Sequence, residues 1–208
     1  MTTSDERRSH WQNVYRTRRA DSVSWYRPHL EVSLELLAQA GLSVGSRLID
    51  VGGGASTLVD ALLDQGVGHI SVLDISRTAL EHSKTRLGAR SAAVSWIEAD
   101  ITHVDLGLET YDVWHDRAVF HFLTSRDDRQ RYVACASRAL RPGGAALIAA
   151  FSLQGPTRCS GLDVVRYDAE LLAREFGSEF SVERTLDDIH HTPSGNTQAF
   201  TFTILRRR

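Results

Sequence analysis

Arg47-Leu48-Ile49-Asp50-Val51-Gly52-Gly53-Gly54-Ala55 is the stretch on which the fold reading turns. An apolar strand-like run goes straight into three glycines, and Leu58, Val59, Leu62 and Leu63 then supply the apolar face of a helix. Glycines at a strand-to-helix turn permit positive φ and let a ligand approach the backbone closely, the arrangement that holds nucleotide-type molecules.

The same unit repeats downstream. Residues 69–75 read as a second strand, Ser76 as the N-cap of a helix that buries Leu80 and Leu87, 94–99 as a third strand and 111–115 as a fourth. A helix over about 126–140 is stopped by Arg141-Pro142-Gly143-Gly144, and the unbroken apolar run 145–151 makes a fifth strand. A helix over about 168–176 precedes two final strands, 180–186 and 198–205. In the last of these Phe200, Phe202 and Ile204 share one face and Thr201 and Thr203 the other, as expected of an antiparallel strand closing an otherwise parallel sheet. The expectation is an α/β, Rossmann-like three-layer sandwich in one domain, 1–208. Within it, 1–44 form a helical N-terminal cap, 45–152 the cofactor-binding core, and 153–208 the C-terminal strands and substrate-side loops. The cap carries His10, Trp11, Tyr15, Trp25 and Tyr26, then a helix with Val32, Leu34, Leu36 and Leu37, and is expected over the carboxyl edge of the sheet.

Composition narrows the partners. The chain has 208 residues, 42% hydrophobic and 24% charged, with a formal net charge of −2, so no overall basic field draws it to nucleic acid or anionic lipid. The basic clusters Arg16 to Arg19 and Arg206 to Arg208 read as solvated surface. Two cysteines, Cys135 and Cys159, make no disulfide framework and suit a reducing cytoplasm. The polar start Met1-Thr2-Thr3-Ser4-Asp5-Glu6-Arg7-Arg8 is not an export signal, and no apolar run approaches the ~18 residues of a membrane span. His190 and His191, adjacent in a strand, would point to opposite faces, so no metal site is expected.

Three acidic residues define the ligand. A dinucleotide fingerprint would want its third glycine where Thr57 stands, and Asp50 before the glycines would repel a pyrophosphate. A carboxylate there suits an ammonium group instead. Asp74 ends the second strand at the spacing that grips ribose hydroxyls, and Asp100 after the third could accept from an adenine amine. With Gly52, Gly53 and Gly54, the neighbours Ile75 and Ile101, and Trp25 of the cap, they make the expected cofactor-binding set, and the expected cofactor is S-adenosyl-L-methionine.

In this ordered combination the sequence resembles the class I S-adenosylmethionine-dependent methyltransferases. Asp50-Val51-Gly52-Gly53-Gly54, Leu73-Asp74, Ala99-Asp100 and Leu140-Arg141-Pro142-Gly143-Gly144 match successive landmarks of that family. The resemblance implies a seven-stranded sheet in the order 3-2-1-4-5-7-6 with strand 7 antiparallel, and transfer of a sulfonium methyl to a nucleophile. Tyr111-Asp112-Val113-Trp114-His115-Asp116-Arg117-Ala118 is similar to the strand-four segment of thiopurine methyltransferases and their tellurite-resistance relatives, with His115 intervening and Ala118 replacing a glycine.

Methyl transfer is an in-line displacement in which the protein aligns the nucleophile and excludes water. Thiolates need little more, whereas alcohols and amines need a base. Arg117 is the leading catalytic-side candidate, for holding an anionic substrate or lowering a thiol's pKa; His115 and His121 are candidate bases, and Asp116 lies in the same cluster. His121, in Phe120-His121-Phe122-Leu123, also reads as packing, and Cys159 as an inert loop thiol. The expected acceptor is a small molecule, possible acceptor atoms including a thiol or chalcogen. Protein, amine or hydroxyl methylation, an NAD(P)-dependent oxidoreductase and a non-catalytic cofactor-binding protein remain as alternatives.

Overall fold

The computed structural model describes residues 3–208; Met1 and Thr2, the first residues of the polar start, lie outside the described residues. Helix α1 (Ser4–Thr17) opens on a capping box in which the Thr3 hydroxyl accepts from the Glu6 amide and the Glu6 carboxylate accepts from the Thr3 amide. A turn at Ala20–Ser22 and an extended strap lead into α2 (Glu31–Gln39). The alternating units follow: β1 (Arg47–Val51), α3 (Leu58–Asp64), β2 (His69–Asp74), α4 (Arg77–Leu87), β3 (Val94–Glu98), β4 (Tyr111–Arg117), α5 (Arg126–Ala139) and β5 (Leu140–Phe151). A short hairpin, β6 (Arg158–Cys159) and β7 (Leu162–Asp163), precedes α6 (Ala169–Phe176) and the long hairpin of β8 (Phe180–His191) and β9 (Thr197–Arg207).

The main sheet has seven strands in the order β3-β2-β1-β4-β5-β9-β8, with β9 antiparallel to both of its neighbours and the others parallel. This is the expected order, with the two-residue strands β6 and β7 outside it. Two differences have local causes. The Pro142-Gly143-Gly144 stop lies inside β5 as a bulge: Tyr111 pairs with Leu140 and Val113 with Ala145, Gly143 sits at φ +76°, and Asp112 pins the excursion by pairing with Arg141 at 2.9 Å. The last hairpin outruns its apolar signal because Asp187 and Asp188 stay in strand on the sheet's edge, Asp187 accepting from Thr201 and Asp188 from Arg27, each at 2.7 Å.

Side chains alternate through the sheet into two cores. Leu48, Ile70, Val113 and Leu147 join α2, α3 and α4 on one face; Ile49, Trp114 and Ile148 join α5 and α6 on the other. On the second face Trp114 is fully buried and donates its indole N–H to the Tyr132 hydroxyl at 2.8 Å. The parallel strands deliver their carboxyl ends to one edge, and α1 lies across it. Ser4 and Arg7 bond to Asp100 beyond β3, while Gln12 accepts from Ser76 and Thr78 at the start of α4. No helix among the described residues is long and apolar enough to cross a membrane.

Candidate active site

The chain leaves β1 through Gly52 at φ +72°, its amide donating to Leu73 of β2 at 2.7 Å. That turn wraps over the Asp50 carboxylate so closely that a Cβ on Gly53 would stand 2.1 Å from Asp50 Oδ2. Asp50 is buried, and its Oδ1 lies 2.7 Å from His115 Nδ1. Because a carboxylate only accepts, the hydrogen belongs on Nδ1, leaving Nε2 to accept from Ser33 of α2 at 3.0 Å. Asp50 Oδ2 has no hydrogen-bond partner among the described residues. A buried carboxylate oxygen left unsatisfied is costly, and a ligand ammonium is the group that would satisfy it.

Asp74, at the end of β2, accepts from the Ser76 amide at 2.8 Å and the Gly54 amide at 3.0 Å, which fixes its carboxylate toward the cleft. Burial pushes its pKa up to about 6, against the lowering effect of those amides. Two consequences are measurable. Asp74→Ala is expected to weaken S-adenosylhomocysteine binding by about tenfold or more through loss of charge-assisted ribose contacts. In the wild type, affinity should fall as the pH drops below about 6, where a raised carboxyl group takes up a proton and loses acceptor capacity. Calorimetry at neutral and mildly acidic pH reads both, and affinity unchanged in the variant rules out the ribose assignment.

Asp100 departs from its expected part. Its Oδ1 accepts from the amide and hydroxyl of Thr102, and its Oδ2 from Ser4 and Arg7, at 2.7 to 2.9 Å. Burial alone would raise its pKa, but these bonds hold it well below the usual carboxylate range. Asp100 therefore anchors α1 to the sheet edge and is not an open acceptor for an adenine amine, although it and Ile101 still line the cleft.

The cleft lies along the carboxyl edge of the sheet, walled largely by apolar side chains. One end is bounded by Asp74, Ile75, Asp100 and Ile101, and the other by Trp11, Trp25, Phe122, Phe151 and Phe200. A second pocket adjoins it, sharing Gly52, Trp25 and Arg117 and reaching Asp50, Gly53 and His115. Trp25 belongs to the strap over this junction. Its indole N–H donates to the Tyr15 hydroxyl at 3.3 Å and its carbonyl accepts from Arg117 at 2.8 Å, while Thr57 donates to the Arg27 carbonyl at 3.0 Å.

Of the four candidates around the end of β4, only Arg117 lines the cleft. Its guanidinium carbon lies 5.0 Å from the centre of the Phe200 ring, and burial, then the charge of Arg27, lowers its pKa to about 10. His115 is no free base, because both ring nitrogens are engaged beneath the glycine turn. Asp116 is fully buried on the opposite face, where it accepts from the Val119 and Phe120 amides and the Tyr132 hydroxyl and so shapes the turn after β4. His121 is packed between Phe122 and Phe151, its Nδ1 accepting from the Phe151 amide at 3.3 Å. Burial and the neighbouring Arg117 push its pKa down to about 3, so it stays neutral.

Sequence reasoning passed over Ser33, Arg27 and Arg7, the residues that tie the cap to the site. His190 also ties it: its Nε2 donates to the Ser24 carbonyl at 2.7 Å and its Nδ1 accepts from Arg27 at 2.9 Å. Among the described residues no cluster suited to a metal ion occurs.

Comparison with known proteins agrees with this geometry. The family model described as a methyltransferase domain matches residues 48–144. The chain is 27% identical over 151 residues to a ubiquinone/menaquinone biosynthesis C-methyltransferase of Roseobacter denitrificans, covering 71% of this chain and 58% of that one. It is 25% identical over 141 residues to the eEF1A lysine and N-terminal methyltransferase of Mus musculus, covering 65% of this chain and 20% of that one. The chain thus spans from a fifth to somewhat over half the length of these curated relatives. Among solved structures, a Burkholderia thailandensis 1,6-didemethyltoxoflavin-N1-methyltransferase with bound S-adenosylhomocysteine superposes with a TM-score of 0.74 at 19% identity, over 100% of this chain and 91% of the other. Residues 48–144, which hold the glycine turn and the acidic strand ends after it, thus match a methyltransferase domain, and the sheet has the strand order that the family resemblance implied.

Proposed function

We propose that the chain transfers the methyl group of S-adenosylmethionine to a small-molecule acceptor. The observation that carries this reading is the unpartnered Asp50 Oδ2 beneath the glycine turn, beside a cleft that Asp74 borders at its other end. A cofactor with an ammonium group at one end and ribose hydroxyls at the other meets both carboxylates. Gly52 and Gly53 leave room for it along the backbone, and Ile75 and Ile101 offer apolar contact beside the adenine end.

The cofactor supplies an electrophilic methyl on a sulfonium centre. The chain's own part is to align the acceptor and keep water out, which the aromatic end of the cleft and the overlying α1 and strap suit. A cleft walled by the rings of Trp11, Trp25, Phe122, Phe151 and Phe200 suits an apolar small molecule. Arg117 is the group we assign to the acceptor. For a thiol or chalcogen acceptor the support is Arg117 alone: Trp114 and Asp116, which carry the thiopurine-type resemblance, are core residues, and burial pushes the Cys159 thiol up to about 11.

The test has two stages. Calorimetry should show binding of S-adenosylmethionine and none of NADH; the reverse would make the chain an oxidoreductase. Release of S-adenosylhomocysteine is then screened against thiols, selenite, tellurite, phenols and amines. Cofactor binding without turnover on any acceptor would leave a binding protein and defeat the proposal.

A further inference from the structure

Arg117 is a half-buried cation on the cleft wall. Among the described residues its hydrogen bond is to the Trp25 carbonyl, and it makes no ion pair with a carboxylate. Arg27, whose charge acts on it, is already committed to Asp188 and His190. A desolvated guanidinium facing only a carbonyl and an aromatic ring is costly, and a ligand anion is what offsets it.

Among the described residues the cleft also lacks a free proton acceptor at that end. His121 and His190 are neutral with their Nδ1 lone pairs taken by the Phe151 amide and Arg27, and His115 is closed off beneath the glycine turn. The Tyr15 phenol and Cys159 thiol are kept protonated by burial, and Arg7 is bound to Asp100 and Asp128. The carboxylates of Asp74 and Asp100 stand at the cofactor end. Around Arg117 the walls are rings: Trp11 meets Trp25 and Phe122 edge-on at 5.6 and 5.0 Å, and Phe151 meets Phe200 at 4.8 Å.

We infer that the acceptor is a planar, largely apolar molecule that enters already ionised at an oxygen or sulfur, pairs with Arg117 and is methylated without a general base. This rests on the methyltransferase reading and narrows it. The acceptor's proton leaves to solvent before binding. A lone pair of the anion forms the new bond to the methyl carbon, and the C–S bonding pair returns to sulfur. Anion and sulfonium thereby become a neutral ether or thioether and a neutral cofactor product. Aliphatic alcohols and alkylamines, which do not ionise to anions near neutrality, are excluded as acceptors.

The test uses the whole protein with S-adenosylhomocysteine and 4-nitrophenol, whose anion absorbs in the visible, against the near-isosteric 4-nitroaniline and the neutral methyl ether 4-nitroanisole. The bound phenol should show the anion's absorbance at a pH where the free probe is mostly protonated, and bind about tenfold tighter than either neutral analogue. Arg117→Met should remove both effects with little change in S-adenosylhomocysteine affinity, and Arg117→Lys should keep part of the preference. Equal binding of the three probes, or no binding of the anion, overturns the inference and leaves the cofactor reading standing. A comparable loss of S-adenosylhomocysteine in Arg117→Met gives the guanidinium to the cofactor's carboxylate and overturns it too. Failure of S-adenosylhomocysteine to bind the wild type defeats both readings.

Discussion

Gly53→Ala should deprive the protein of its cofactor while leaving it folded. A Cβ at this position would lie 2.1 Å from Asp50 Oδ2 and 2.5 Å from its Cγ, inside any real contact distance. Asp50 cannot retreat cheaply, because its other oxygen is held by His115 and its backbone is in β1 between β2 and β4. Either the carboxylate swings off His115 or the turn lifts away from it, and in both cases Oδ2 leaves the place where an ammonium would meet it. The expected loss is about 100-fold or more in S-adenosylhomocysteine affinity, roughly 2.7 kcal/mol. Gly45→Ala, where an added Cβ meets nothing within 4 Å, is the control and should change neither affinity nor melting temperature. An unchanged dissociation constant for Gly53→Ala would show that the ligand does not approach this turn.

The parts of the molecule legible from sequence were those governed by short-range rules. The apolar period of each strand, the three glycines after Asp50 and the Thr/Phe alternation of β9 are local signals, and the sheet is built as they indicate. The positions of Asp50 and Asp74 were legible for the same reason, since each sits at the carboxyl end of a strand whose place in the sheet follows from the strand order. The roles of the residues after β4 were not. His115, Asp116 and Arg117 are consecutive, but the pleat sends Asp116 to the opposite core and His115 under the glycine turn, so that Arg117 alone of the three lines the main cleft. Which face each residue takes depends on register, and which partner it finds depends on Ser33, Trp25 and Tyr132, up to 92 residues away in the chain. Asp100 shows the same limit: nothing near it in sequence reveals that Ser4 and Arg7, more than 90 residues earlier, fill its carboxylate.

His115→Leu should produce a selective defect. If His115 serves the cofactor by holding Asp50, its loss is felt only by ligands that carry the amino-acid end. 5′-Methylthioadenosine keeps the adenosine and thioether but lacks that end, so its affinity should stay within about twofold, while S-adenosylhomocysteine weakens by about tenfold or more, the range of one hydrogen bond to a charged group. A general loosening of the fold would weaken both ligands together, which separates a positioning role from a structural one. His115→Gln, whose amide still donates, should recover part of the discrimination. Ser33→Ala should shift it more weakly in the same direction, because Ser33 acts on Asp50 only through the histidine. Ser33 lies on α2, so the chain Ser33–His115–Asp50 joins the N-terminal cap to the carboxylate whose other oxygen, Oδ2, is expected to meet the cofactor's ammonium. Equal losses for the two ligands, or no loss for either, would reduce this buried chain to packing.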